Sequence, residues 1–422
     1  MSASMHRATT LPNGVRVLTE AMPAIRSATV GVWADVGSAA ERPRERGISH
    51  VVEHMLFKGT SHRSARQIAE TMDGIGGNLN AFTDKESTCY YAKVMDRHLP
   101  LALEVLGDMF LHSTFDPDEL AKEQKVILEE IKMYEDSPDE LIHDLFIQTM
   151  WAGANLGDPT IGFAETVASV TPDDLRAHMR NHYAPNSVIV AAAGNVDHDA
   201  FVADVGANFA GFAGACALPV PEAPATTPNA LFRHKESEQA HLVLGTRGLA
   251  AVDERRYALS VLDTILGGGM SSRLFQEIRE KLGLVYSVYT FQASYRAAGL
   301  FGVYAGASAA NVQKCVDVIG EQFEAVRERG VTEAELRLAK EHMKGSLTLS
   351  LESSSSRMIR LGRNEFAFGR QITTEEIEAR VDAVTLDEVR GIAGELFAPE
   401  NLGLCVLGPV DRAEIGWAGS AA

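Results

Sequence analysis

The chain repeats itself, and that constrains its fold more than any other feature. Val170-Thr171-Pro172-Asp173-Asp174-Leu175-Arg176 recurs as Val384-Thr385-Leu386-Asp387-Glu388-Val389-Arg390. Ala184-Pro185-Asn186 recurs as Ala398-Pro399-Glu400-Asn401, and Gly194-Asn195-Val196-Asp197 as Gly408-Pro409-Val410-Asp411, all at one offset of 214 residues. A period of about half the 422 residues means one domain used twice, and the length itself exceeds what one core usually holds. Pro219, Pro221, Pro224 and Pro228, among Ala and Thr, mark the joint. The expected division is a first domain at 1–210, a linker at 211–229 and a second domain at 230–422.

Periodicity gives the elements of the first copy. Gly14 to Glu20 and Ser27 to Ser38 read as strands, the second alternating Ala28, Val30, Val32, Ala34 and Val36 against Thr29, Gly31, Trp33 and Asp35. Ser64 to Asp73 reads as a helix stopped by Gly74, Gly76 and Gly77. Asn78 to Thr83 and Ser87 to Lys93 read as paired strands. A helix spans Arg97 to His112, and Asp116-Pro117 caps another running through Met133. Val188 to Ala193 is a strand. In the second copy elements resume near Ala240, and residues 418–422 read as a disordered tail.

Between the second strand and the Ser64 helix lies Ile48-Ser49-His50-Val51-Val52-Glu53-His54-Met55-Leu56-Phe57. On a helix, His50 and His54 stand one turn apart on one face with Glu53 beside them. Two neutral imidazoles at this spacing suit zinc, and the adjacent carboxylate can take a proton from water without ligating the metal. The pattern is H-x-x-E-H. A catalytic zinc needs a third protein ligand, and Glu123 and Glu130, two turns apart on the Asp116 helix, are the candidates. Spacing alone does not choose between them.

The repeat acts as an internal control. Ser260-Val261-Leu262-Asp263-Thr264-Ile265-Leu266 stands opposite His50 to Leu56, and Ala339 and Ser346 stand opposite Glu123 and Glu130. The second copy keeps the apolar positions and lacks the histidines and carboxylates, so the chemistry belongs to the first.

Composition excludes several classes. Lys and Arg total 39 against 57 Asp and Glu, a net charge of -18, which disfavours nucleic acid and anionic membrane as partners. Cys89, Cys216, Cys315 and Cys405 form no C-x-x-C pair, which suits a reducing compartment. The start, Met1-Ser2-Ala3-Ser4-Met5-His6-Arg7, lacks the apolar run of a signal peptide, and no stretch is apolar enough for a membrane span. The expected location is the cytoplasm. Gly267-Gly268-Gly269 reads as a loop, with no phosphate-loop lysine at the required spacing.

His50-Val51-Val52-Glu53-His54, Glu123 and Glu130, Asn80-Ala81-Phe82-Thr83, and Arg279-Glu280-Lys281-Leu282-Gly283-Leu284-Val285-Tyr286 together resemble the pitrilysin-like inverted-zincin metallopeptidases (M16). The likeness is greatest to the mitochondrial processing peptidase β-subunit and its bacterial relatives. The resemblance covers nearly the whole chain. It implies an α+β fold, two tandem homologous domains each with a mixed or antiparallel β-sheet packed with α-helices. It implies one zinc ion per chain held by His50, His54 and Glu130, with Glu53 as general base and Glu123 supporting the site.

For substrate, the resemblance implies extended peptides added along an edge strand at Asn80, Ala81, Phe82 and Thr83, with Phe57 lining the pocket just after the cut. Glu140 and Asp144, one helical turn apart, stand where a substrate arginine is held before the cut. Arg279 and Tyr286 match residues that reach the substrate carbonyl from the facing half-molecule, so a homodimer is expected to build two complete sites. The alternatives are a catalytic subunit needing a different, inactive partner, and a non-catalytic structural subunit like the core proteins of a respiratory complex.

Overall fold

The computed structural model describes residues 6–417, and the tail expected to be disordered at 418–422 lies outside the described residues. The first copy runs β1 (His6–Thr10), β2 (Arg16–Ala21), β3 (Ser27–Ala34), α1 (Ile48–Leu56), α2 (Ala65–Asp73), β4 (Asn78–Thr83) and β5 (Thr88–Met95). It continues α3 (Leu99–His112), α4 (Pro117–Asp136), α5 (Pro138–Met150), α6 (Ala164–Ser169), α7 (Pro172–His182), β6 (Val188–Gly194) and α8 (His198–Asn208). The second copy runs β7 (Ala230–His234), β8 (Ala240–Gly248), α9 (Arg256–Gly267), a π-helical turn at Phe275–Lys281, β9 (Val285–Ser294) and β10 (Gly299–Ala307). It ends α10 (Val312–Arg329), α11 (Glu333–Ser350), α12 (Ser354–Phe368), α13 (Thr374–Ala383), α14 (Leu386–Leu396) and β11 (Gly403–Gly408).

The duplication is visible in the strand pairing. One sheet is ordered β1-β2-β6-β3-β5-β4 and the other β7-β11-β8-β10-β9. Each contains a parallel pair at the same place, β2 with β6 and β7 with β11, and its other pairs are antiparallel. These are the two mixed-sheet α+β domains expected. The repeated Val-Thr-x-Asp motif has a local cause, because it closes a capping box at the start of a helix in each copy. Thr171 with Asp174 opens α7, and Thr385 with Glu388 opens α14.

The core of the first sheet sits under β3. Ala28, Val30, Val32 and Ala34 pack against Val51, Val52, Met55 and Leu56 of α1 and Leu103 and Leu106 of α3. An alternating strand exposes its second face by default, yet that face of β3 is also covered. Thr29 Oγ1 lies 2.9 Å from Ser354 Oγ, and Trp33 Nε1 donates to Met358 Sδ at 3.3 Å, both partners on α12.

The two compact units therefore depart from a single cut at 211–229. Among the described residues, one comprises those up to Lys132, Asp158–Val220 and Ser350–Gln371, and the other comprises Met133–Gly157, Pro221–Leu349 and those from Ile372 onward. The physical reason is an exchange of helices. From the first copy α5 lies on β8 and β11, whereas from the second copy α12 lies on β2, β3 and β6. Close approach in each case uses a glycine: a Cβ on Gly245 of β8 would stand 2.7 Å from the Phe146 ring, and one on Gly362 of α12 would stand 2.4 Å from the Trp33 ring. Among the described residues no helix is long and apolar enough to cross a membrane.

Candidate active site

Burial of Ile48, Val51, Val52, Met55 and Leu56 fixes the rotation of α1 and turns His50, Glu53 and His54 away from the core. The helix start is held by Glu41, whose carboxylate accepts from the amides of Gly47 at 2.7 Å and Ser49 at 2.8 Å. Those contacts satisfy first-turn donors that have no partner within the helix. The His50 and His54 rings meet edge to face, 4.6 Å between centroids.

Helix α4 brings both carboxylates, and the geometry separates them. Glu130 Oε2 lies 3.9 Å from His50 Nε2 and 3.7 Å from His54 Nε2. Glu123 Oε2 instead contacts His54 Nδ1 at 3.0 Å, on the far side of that ring, and its Oε1 accepts from Lys58 Nζ at 2.7 Å. A four-coordinate zinc with ligand bonds near 2.0–2.2 Å places its donors roughly 3.4 Å apart. Three donors already separated by 3.7 and 3.9 Å fit such an ion with a shift of about half an ångström. Burial, with the charge of His54 added, pushes the His50 pKa down to about 3, so its imidazole is neutral, the form that ligates a metal.

Glu53 sits beside this cluster. Its Oε2 accepts from the Thr83 hydroxyl at 2.5 Å, and it also accepts a backbone hydrogen bond from Thr83. Burial raises its pKa above the ordinary carboxylate value, while the Thr83 bonds oppose that rise. Thr83 ends β4, which is the edge strand of its sheet, as expected from sequence. Along that strand Asn80 Oδ1 accepts from the Ala81 amide at 2.8 Å, and Phe82 packs on Trp33 with centroids 5.4 Å apart. Phe57 closes the C-terminal end of α1 and packs, half-buried, against the first core.

The remaining expected residues belong to the second unit. Glu140 and Asp144 lie on α5, one turn apart. Arg279, in the π-helical turn, stacks its guanidinium 5.0 Å from the ring of Tyr286, which is 78% exposed at the start of β9. The structure thus brings those two together. At the counterpart of α1, Thr264 of α9 turns its hydroxyl back to the Ser260 carbonyl at 2.9 Å.

Three contacts were not foreseen from sequence: Lys58 on Glu123, Glu41 capping α1, and Thr83 holding Glu53. Lys58 was findable, because it follows His54 by one helical turn. Glu41 lies in irregular chain and carries no periodic signal.

Two family models match the chain, insulinase (peptidase family M16) over residues 16–163 and peptidase M16 inactive domain over residues 169–343. An uncharacterized zinc protease of Bacillus subtilis is 48% identical over 400 residues, covering 95% of this chain and 97% of that protein. One from Streptomyces coelicolor is 44% identical over 415 residues, covering 96% and 90%. Among solved structures, a peptidase M16 inactive domain from Pseudomonas fluorescens superposes with a TM-score of 0.89 at 22% identity, covering 96% of this chain and 98% of its own. A protease from Helicobacter pylori gives 0.88 at 23%, covering 96% and 99%. At such identities the structures speak for the fold.

Proposed function

The chain belongs to the M16 peptidase family, and from that premise we propose that it is a zinc-dependent endopeptidase acting on extended or unfolded peptides. One observation carries this reading. His50, His54 and Glu130 point three donor atoms at one place, and Glu53, on the helix of the two histidines, is bonded to the edge strand β4.

In this reading His50, His54 and Glu130 hold the ion, and Glu123 keeps His54 in the tautomer that leaves Nε2 free to ligate. Bound zinc supplies Lewis acidity, polarising a carbonyl and lowering the pKa of water toward roughly 7. Glu53 accepts the proton of the attacking water on its carboxylate and returns it to the leaving amine. A substrate backbone adds to the free edge of β4 through main-chain hydrogen bonds, which tolerate many sequences. Phe57 lines the pocket after the cut, and Glu140 with Asp144 favours arginine before it. Arg279 and Tyr286 act on the site of a second copy, so the working form is a homodimer in the cytoplasm.

The decisive experiment compares wild type with Glu53→Gln for zinc content and for cleavage of unstructured Arg-rich and neutral peptides. The variant is expected to keep zinc and lose cleavage by at least about a hundredfold. Cleavage at the wild-type rate with zinc bound refutes the role of Glu53. Full activity in a monomer refutes the homodimer, and zinc-loaded wild type without cleavage favours a subunit that needs another partner.

A further inference from the structure

A second cluster of metal-ligating side chains lies on the first unit, outside the site just described. Helix α3 carries Asp108 and His112 one turn apart, and the turn between α1 and α2 presents His62 to them. Asp108 Oδ1 is 2.6 Å from His62 Nδ1 and 3.2 Å from His112 Nδ1, and the two rings meet edge to face at 4.7 Å. The other carboxylate oxygen is occupied, accepting from Thr60 Oγ1 at 2.8 Å and Arg63 at 2.9 Å. Asp108 is thereby fixed and buried, with one oxygen aimed between two imidazoles that are 58% and 45% exposed.

The surroundings suit a dication. These residues line a cleft of about 740 Å³ whose walls also include Gln67, Glu70 and Glu104. Arg63 is the nearby fixed cation, but it is also paired to Glu104 at 2.7 Å. Asp108, Glu104 and Arg63 together therefore carry one net negative charge before an ion arrives. The volume leaves room for water at remaining coordination positions.

The duplicated half separates scaffold from chemistry here too. Gly59-Thr60-Ser61-His62-Arg63 recurs as Gly269-Met270-Ser271-Ser272-Arg273. Leu103-Glu104-Val105-Leu106-Gly107-Asp108-Met109-Phe110-Leu111-His112 recurs as Val316-Asp317-Val318-Ile319-Gly320-Glu321-Gln322-Phe323-Glu324-Ala325. The arginine, the glycine, the phenylalanine and an acid persist, whereas both histidines are replaced, by Ser272 and Ala325. The fold keeps the arginine in both copies, but in the second Arg273 pairs with Glu335 of α11 at 2.6 Å, away from that acid. It does not need two histidines on the acid.

We propose that His62, Asp108 and His112 form a second metal site, taking a borderline divalent cation such as Zn²⁺ through two imidazole nitrogens and one carboxylate oxygen. Tetrahedral ligation spaces the donors about 3.4 Å apart. His112 stands near that distance already, and His62, on an exposed turn, has to retreat by under about 1 Å. The ion clips the turn after α1 to α3 and leaves the peptidase chemistry to His50, His54 and Glu130.

The test uses the full chain, stripped with chelator and titrated with Zn²⁺ alone, with bound metal counted by mass spectrometry after dialysis. Wild type is expected to take two equivalents, and His62→Gln/His112→Gln one, with peptide cleavage unchanged. His50→Gln/His54→Gln is expected to keep one equivalent. Adding His112→Gln to that variant, a change at a half-exposed position that removes one proposed ligand, is expected to weaken the remaining equivalent at least about tenfold. A single equivalent in wild type, two in the His62/His112 double variant, or none in the His50/His54 variant overturns the proposal.

Discussion

Glu123→Gln tests the support beneath the proposed zinc site. The native carboxylate serves two donors at once, His54 Nδ1 at 3.0 Å and Lys58 Nζ at 2.7 Å. Glutamine has the same shape but one acceptor oxygen, so one donor must face an NH₂ group. Lys58 is the more exposed partner and can swing into water, so the amide oxygen stays with His54. What is lost is the charge on the acceptor. A hydrogen bond to an ionised group is worth about 1.5–3 kcal/mol against about 1 for a neutral one, so the loss is about 0.5–2 kcal/mol. That predicts roughly tenfold weaker zinc binding, in line with the usual effect of removing a partner of a ligating histidine. Lys58→Met is expected to weaken zinc binding by no more than about threefold, because a partly solvated ion pair contributes little. Competition with a chromogenic chelator measures both. Zinc binding by Glu123→Gln within a factor of two of wild type, or an equal loss in Lys58→Met, contradicts this account of how His54 is held.

His178 is buried, its Nε2 lacks a hydrogen-bond partner, and burial pushes its pKa down to about 3. The unfolded chain binds this proton near pH 6.5 and the folded chain does not, so its contribution is complete above 6.5 and is lost as pH falls toward 3, at up to about 1.4 kcal/mol per unit. Urea midpoints at pH 7 and 5 should therefore diverge less in His178→Phe than in wild type, and equal divergence excludes His178 as the cause. Thr83→Val removes a donor that stabilises ionised Glu53, so the acid limb of the kcat/KM profile should move to higher pH; an unmoved limb argues against Glu53 as the titrating base. Gly362→Ala places a methyl 2.4 Å from the Trp33 ring and should lower stability by about 1–3 kcal/mol in denaturant titration. An unchanged midpoint shows that α12 rides more loosely on β3 than the packing indicates.

Local chemistry was legible in the sequence and long-range partnership was not. The strand at Asn78–Thr83 has the expected limits because glycines stop the preceding helix, and α4 begins at Pro117 because Asp116 Oδ1 accepts from the amides of Asp118 and Glu119. Glu123 and Glu130 shared a helical face, but only distance showed that they meet opposite nitrogens of His54. Periodicity could show that β3 alternates without showing what covers Trp33, since an apolar face does not specify its partner. For the same reason the linker prolines marked where the copies join, and could not reveal that α5 and α12 had changed places. The short outer strands β1 and β7 were missed, having few residues over which a period of two can register.

The exchange of α5 and α12 makes the two copies depend on each other. Each sheet is covered on one face by a helix that the other copy encodes, so a chain cut at the proline-rich joint would leave each half with an apolar sheet face bare to water. The second copy can lack the histidines and carboxylates, but not α12, because Trp33 and the outer face of β3 are buried beneath it.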